Sequence, residues 1–192
     1  NGKPLVKFFN FAGLQGAAVG NHEFDYGAEP AHSTDLLSAL KNRMSEALYP
    51  YLAANIFEKG TDKLADFPNT YPSKLYSVGR LKVGVIGLST RDTPKTTRPT
   101  NVATLDFTDL KEATLRESRK LRSAGADMVL ITAHVGLFCE VGRAPLGWAV
   151  RKETDSQGEC RNDDELVKLL RAIPAGTVDA VVSGHSHQII HH

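Results

Sequence analysis

Apolar residues fall into two alternating rhythms along the chain, one spaced like a helix and one forming short unbroken runs. Residues 4–12 have helical spacing, with Pro4 suited to a first turn. Ala17-Ala18-Val19 is a short buried strand closed by Gly20. Over residues 31–48, Leu36, Leu37, Leu40, Met44 and Leu48 recur at intervals of three and four, which predicts an amphipathic helix. Residues 51–57 and 76–88 read as strands, the second holding the run Val83-Gly84-Val85-Ile86-Gly87-Leu88. A helix over 109–124, with Asp109 as N-cap, precedes the strand Met128-Val129-Leu130-Ile131-Thr132-Ala133. A long polar loop covers 137–162, a further helix 163–172, and the last strand is Asp179-Ala180-Val181-Val182-Ser183. The alternation predicts an α/β protein without internal repeats.

Three of these strands deliver metal-competent side chains at their carboxyl ends. Val19 is followed by Gly20-Asn21-His22, Ala133 by His134, and Ser183 by Gly184-His185-Ser186-His187. In α/β sheets that edge is where ligand crevices form. The carbonyl oxygen of Asn21 can complete a metal shell without adding charge. His22, beside it, is free for proton transfer or for gripping an anion. Asp25, three residues on, can return to His22 across one helical turn and fix its tautomer. If the last segment is extended, His185 and His187 point the same way about 6–7 Å apart in Cα, which suits two adjacent metals better than one. The bland readings are a surface His pair, a polar turn at His22 and a satisfied core histidine at His134.

Composition narrows the class. At 192 residues the chain is one domain with a proper core. It is 41% hydrophobic and 23% charged, with a formal net charge of +1, which argues against a general polyanion or nucleic-acid binder. No apolar run approaches the roughly 20 residues of a membrane helix. The opening Asn1-Gly2-Lys3-Pro4 is no signal peptide and reads as a processed or truncated product. Cys139 and Cys160 lie in the polar stretch, where buried free thiols are not expected. They are either a disulfide, closing a loop worth about 3 kcal/mol, or two unrelated thiols. The disulfide reading points to a periplasmic or extracellular setting. Arg91, Arg98 and Arg143 read as solvated charges, and His191 and His192 carry no assigned role.

Gly20-Asn21-His22-Glu23-Phe24-Asp25-Tyr26-Gly27, Ala133-His134-Val135-Gly136 and Gly184-His185-Ser186-His187 together resemble the third, fourth and fifth signatures of the calcineurin-like metallophosphoesterases. The first of them is similar to the 5'-nucleotidase / 2',3'-cyclic phosphodiesterase group. The resemblance implies a four-layer α/β/β/α sandwich with two divalent metal ions at the strand ends. It implies Asn21, His134 and His185 as ligands of one metal, His187 as a ligand of the other, and His22 with Asp25 as the catalytic dyad. Zn, Mn or Fe suits such N and O donors. The implied reaction is in-line attack by a metal-bound hydroxide on a phosphoester, with a nucleotide as the substrate. Other expectations are a fragment that binds or scaffolds without catalysis, and a hydrolase of another substrate such as a thiosulfate ester.

The departures from the family pattern carry expectations too. Relatives have an earlier Asp-x-His and then a Gly-Asp whose carboxylate bridges both metals, whereas no Asp, Glu or His precedes Asn21 here. Two dications among neutral donors repel. The chain is therefore expected to bind one metal or none. Residues 1–192 read as a partial catalytic domain, missing its first strands and a C-terminal substrate domain. The unpaired sheet edge is expected to favour oligomerisation or strand exchange.

Overall fold

The computed structural model describes residues 2–139 and 160–187. The chain opens on α1 (Lys3–Ala12), which has proline in its first turn and stops at Gly13, a left-handed position with φ 71°. Strand β1 (Ala17–Ala18) lies parallel to β2 (Tyr51–Leu52), and β2 lies parallel to β4 (Thr70–Tyr71). Between them come a 3-10 turn at Asn21–Phe24, α2 (Ser38–Glu46) and β3 (Ile56–Glu58). The larger sheet has the order β5 (Ser73–Val78), β6 (Leu81–Ser89), β8 (Met128–His134), β9 (Ala180–Ser183). Its first pair is antiparallel and the others are parallel. The short α3 (Thr93–Thr96) follows β6, and β7 (Leu105–Phe107) pairs antiparallel with β3. A 3-10 turn at Pro99–Val102 and helices α4 (Leu110–Ser123) and α5 (Glu165–Ala172) complete the described elements.

Two apolar cores follow from this order. Val6 of α1 and Leu40 and Met44 of α2 pack with Val19, Tyr51 and Phe107 on one side of the molecule. On the other, Leu110, Ala113 and Leu121 of α4 and Leu166 and Leu169 of α5 cover Ile86, Leu88, Val129 and Ile131 of the larger sheet. The two sheets meet back to back, so the layers run helix, sheet, sheet, helix. Gly87 marks the closest approach. A Cβ there would overlap the Leu52 backbone, and the Ala54 N–H donates to the Gly87 carbonyl at 2.8 Å.

Polar stitches then fix the strand ends that matter. Ser89, the last residue of β6, lies opposite His134 in the parallel register. Its buried hydroxyl donates to the Val19 carbonyl at 2.6 Å, tying the end of β1 to the ends of β6 and β8. Asn55 is fully buried. Its amide donates to the carbonyls of Ser89 and Thr108 at 2.8 and 3.2 Å and its oxygen accepts from the Ser89 N–H at 2.9 Å.

Several predicted elements are shorter than their apolar pattern. The helix expected over 31–48 is reduced to α2. At its front, Asp35 takes the Leu37 N–H at 2.9 Å and its carbonyl receives the Ser38 hydroxyl at 2.7 Å, so polar side chains capture the backbone. At its back, Asn10 accepts the Leu48 N–H and Asn69 donates to the Ala47 carbonyl, leaving Leu48 outside the core. The strand expected over 51–57 divides where Asn55 turns the chain from one sheet to the β3–β7 pair. The run at 76–88 is a hairpin of β5 and β6, broken at Gly79 with φ 61°. Strands β4 and β7 and helix α3 were not anticipated.

Candidate active site

The turn after β1 is clamped from several sides. The Gly20 N–H donates to Glu23 Oε2 at 2.7 Å, closing the turn on itself. Burial pushes the Glu23 carboxyl above its ordinary value, opposed by that same backbone hydrogen bond. Phe24 inserts into the first core beside Phe67 and Phe107. Its carbonyl receives the Asn101 amide at 2.6 Å. Gly20 has no room for a side chain, since a Cβ would stand 2.8 Å from both Glu23 Oε2 and His134 Nδ1.

Three neutral donors converge at the strand ends. Asn21, 3% exposed, donates its amide to the Thr96 carbonyl at 2.8 Å. That bond aims Asn21 Oδ1 at His134 Nε2, 2.8 Å away. His185 Nδ1 lies 3.1 Å from the same Nε2, with the two rings edge to face at 4.9 Å. Burial lowers the His134 pKa to about 4, and His185, His22 and His187 reinforce the shift. Burial, then His187, lowers His185 as well, while Glu165 works in the other direction. Both imidazoles are therefore held toward the neutral form that a metal requires.

A second pair stands beside this trio. His22 Nδ1 is 2.7 Å from Asp25 Oδ2, and Asp25 Oδ1 accepts from the Thr97 hydroxyl at 2.8 Å. An ionised carboxylate only accepts, so Nδ1 carries the proton and Nε2 is left outward. The His22 side chain is 66% exposed, so hydrogen bonding rather than packing sets its direction.

The structure brings together Asn21, His134 and His185, and separately His22 and Asp25. His187 is exposed and stands outside the hydrogen-bonded trio, near enough to influence the half-buried His134 and His185 electrostatically. The expectation of an extended Gly184-His185-Ser186-His187 segment is corrected. Strand β9 ends at Ser183, and His185 and His187 have φ of 78° and 54°, so the pair sits on a bend. The Ser186 N–H returns to the Gly184 carbonyl at 3.1 Å, and Gly136 makes room for the bend, a Cβ there lying 3.0 Å from that of Ser186. Among the described residues, no group of three His, Cys, Asp or Glu is placed to hold a metal. The trio's donor chemistry nevertheless fits one borderline cation, with two imidazole nitrogens and a neutral oxygen. The trio contains no carboxylate, and His187 stands apart from it.

Cys139 and Cys160 are joined as a disulfide at the base of the polar loop. Next to it the Phe138 N–H donates to Asp164 at 2.5 Å and the Arg161 N–H to the Phe138 carbonyl at 2.8 Å. Arg91 and Arg98 are exposed, Arg91 lying 4.0 Å from Asp109. Most of the polar loop, with Arg143, and the terminal His191 and His192 lie outside the described residues. Thr96 and Thr97 escaped the sequence reading: they carry no periodic signal, and one acts through its carbonyl.

Asn21, His134 and His185 thus gather at strand ends, with the His22–Asp25 pair beside them. A profile of the calcineurin-like phosphoesterases matches residues 5–189, and the chain belongs to that family. It is 29% identical to a 5'-nucleotidase of Vibrio cholerae over 187 residues, covering 97% of this chain and 29% of that protein. It is 34% identical to the snake venom 5'-nucleotidase of Gloydius brevicauda over 137 residues, covering 71% of this chain and 22% of that one. Among solved structures, the 5'-nucleotidase precursor of Thermus thermophilus aligns with a TM-score of 0.67 and 25% identity, over 97% of this chain and 29% of that chain. The chain thus spans less than a third of the length of each of these proteins.

Proposed function

We propose that the chain is part of the catalytic domain of a metal-dependent phosphoester hydrolase acting on nucleotides. The observation that carries this reading is the convergence of Asn21 Oδ1, His134 Nε2 and His185 Nδ1 beside an imidazole oriented by a carboxylate. Asn21, His134 and His185 hold one divalent cation (Zn, Mn or Fe), and His187 is a ligand toward a second. When bound, a divalent cation lowers the pKa of water and screens the charge of the phosphate. His22 presents Nε2 to a phosphate oxygen, neutralising charge there or protonating the leaving oxygen, and Asp25 holds it in that tautomer. With neutral donors alone, the chain binds one cation weakly or none. The nucleotide preference rests on relatives that carry the name 5'-nucleotidase. A periplasmic or extracellular setting agrees with the Cys139–Cys160 disulfide and with a relative named as a cell wall protein in Listeria monocytogenes. Among the described residues, no helix is long and apolar enough to cross a membrane.

The absence of a carboxylate from the trio favours a second reading, a fragment that binds a cation and phosphate without turnover. The two separate in one experiment: hydrolysis of bis-(4-nitrophenyl) phosphate and of nucleoside 5'-monophosphates by the chain loaded with Mn or Zn. Turnover that falls roughly 100-fold or more in His22→Ala, at unchanged metal content, is the expected result. A rate indifferent to His22 overturns the dyad, and metal binding without turnover in the unaltered chain supports the binding fragment.

A further inference from the structure

Two adjacent residues at the end of α3 grip two different groups of the candidate site. The Thr96 carbonyl receives the Asn21 amide at 2.8 Å, and the Thr97 hydroxyl donates to Asp25 Oδ1 at 2.8 Å. We propose that Thr97 is a positioning residue for the His22–Asp25 pair, and that the end of α3 is the common frame from which both the Asn21 donor and the His22 imidazole are aimed. The inference rests on the role proposed above for His22.

The argument is one of degrees of freedom. His22 and Asp25 have side chains 66% and 39% exposed, so packing constrains neither ring nor carboxylate strongly. A carboxylate held by a single hydrogen bond turns about its Cβ–Cγ bond and lets the imidazole follow. Thr97 supplies the second bond, on the oxygen that His22 does not use, and two bonds on opposite oxygens fix the carboxylate plane. Thr97 can do this because its own place is set. It is the residue at which α3 ends, with φ −130°, and its N–H donates to the Thr93 carbonyl. Thr93 is fully buried, and its hydroxyl donates to the Thr90 carbonyl at 2.7 Å. Thr90 is tied in turn to both walls of the site, donating its hydroxyl to Glu165 at 2.7 Å and its N–H to the His134 carbonyl at 3.0 Å. The chain of contacts thus runs from the strand that presents His134, through α3, to the carboxylate behind His22. A rotamer error at the end of that chain costs alignment rather than fold, which is the signature of positioning.

The test uses Thr97→Val, nearly isosteric without the donor, and Thr97→Ser, which keeps the donor. Histidine ring nitrogen shifts of the 15N-labelled chain at one fixed alkaline pH read the His22 tautomer directly. The expected result is a dominant Nδ1–H form in the unaltered chain and in Thr97→Ser, and a several-fold shift toward Nε2–H in Thr97→Val. In the turnover assay kcat falls about 10-fold in Thr97→Val with KM within twofold, and the serine variant restores it. An unchanged tautomer ratio in Thr97→Val, or equal shifts in the valine and serine variants, overturns the inference. Should Thr97→Val fail to fold, Thr97→Ala against Thr97→Ser reads the same difference. His22→Ala, measured alongside, keeps the outcomes separate. If its loss leaves hydrolysis intact, the role of His22 falls, while the tautomer still judges Thr97.

Discussion

At the scale of single residues, the candidate site makes opposite demands on His185 and His22. His185 Nδ1 faces the point where Asn21 and His134 converge, whereas His22 turns toward Asp25. His185→Ala is therefore expected to weaken Zn or Mn binding by at least about 10-fold in calorimetry, no less than the loss of a group that merely orients a ligand costs, while His22→Ala leaves affinity nearly unchanged. Equal losses in the two variants would break the division between metal and phosphate roles. Gly20→Ala tests the crowding behind the trio. The backbone at Gly20 is ordinary, with φ −104°, so the penalty comes from the Cβ pressing on His134 and Glu23. It should destabilise the chain by about 1–3 kcal/mol in urea unfolding and weaken metal binding as His134 is displaced; an unchanged midpoint would show that the turn relaxes freely. The sequence made Asn21, His134 and His185 legible because each interrupts or ends an apolar run with a ligand type. It could not reveal Thr97, a polar residue in a Thr-rich stretch whose partner lies 72 positions away.

At the scale of elements, the site depends on stitches between strands rather than on any one strand. Asn55 makes three hydrogen bonds with both of its amide atoms while fully buried. Asn55→Ala strands the Ser89 N–H and carbonyl and leaves a small void, so a loss of about 3 kcal/mol is expected from denaturant midpoints at constant slope. A loss under about 1 kcal/mol would mean that water replaces the amide. Asp179 clamps β8 and α4 differently, accepting from the Val129 N–H at 2.7 Å and from Arg122 at 2.6 Å. The Val129 bond, with Arg122 adding to it, holds the Asp179 carboxyl below its ordinary value of 3.8. A carboxylate lowered on folding contributes stability that is present above that value and lost as pH falls through its folded pKa. Asp179→Asn should therefore cost stability at pH 7 and progressively less on acidification below about 4, read as converging midpoints of the two proteins. Helix α4, strand β8 and the apolar run within β6, though not the hairpin that β6 forms with β5, could be read from the sequence because their apolar periods are long and, for α4, because Asp109 caps it through the Lys111 and Glu112 N–H groups. Strands β4 and β7 could not, since two or three residues carry no period.

At the scale of the whole molecule, one face stands out by being apolar and unpaired. Leu5, Phe8 and Phe11 recur every third residue on α1, and all three are exposed, Phe11 at 90%. Beside them β1 pairs with β2 on one edge, and among the described residues no strand pairs with the other. A cavity of about 250 Å³ lies between α1, β1 and α2, with Leu5, Val6, Phe9, Ala17 and Leu40 on its apolar side and His22, Glu23 and Arg43 at its polar side. Exposed apolar rows next to a free strand edge are the surfaces through which chains associate. The isolated chain is therefore expected to self-associate through this face, its mass in light scattering rising with concentration from low to high micromolar. Phe8→Lys combined with Phe11→Lys removes the apolar row without touching Val6 or Phe9, which face the core, and should return the mass to that of a monomer. If the unaltered chain is already monomeric at high concentration, the edge is satisfied within the chain. If association survives the double substitution, it runs through the backbone edge of β1 instead, and substitution of Ala18 by proline, which removes a strand N–H, is the variant that should abolish it.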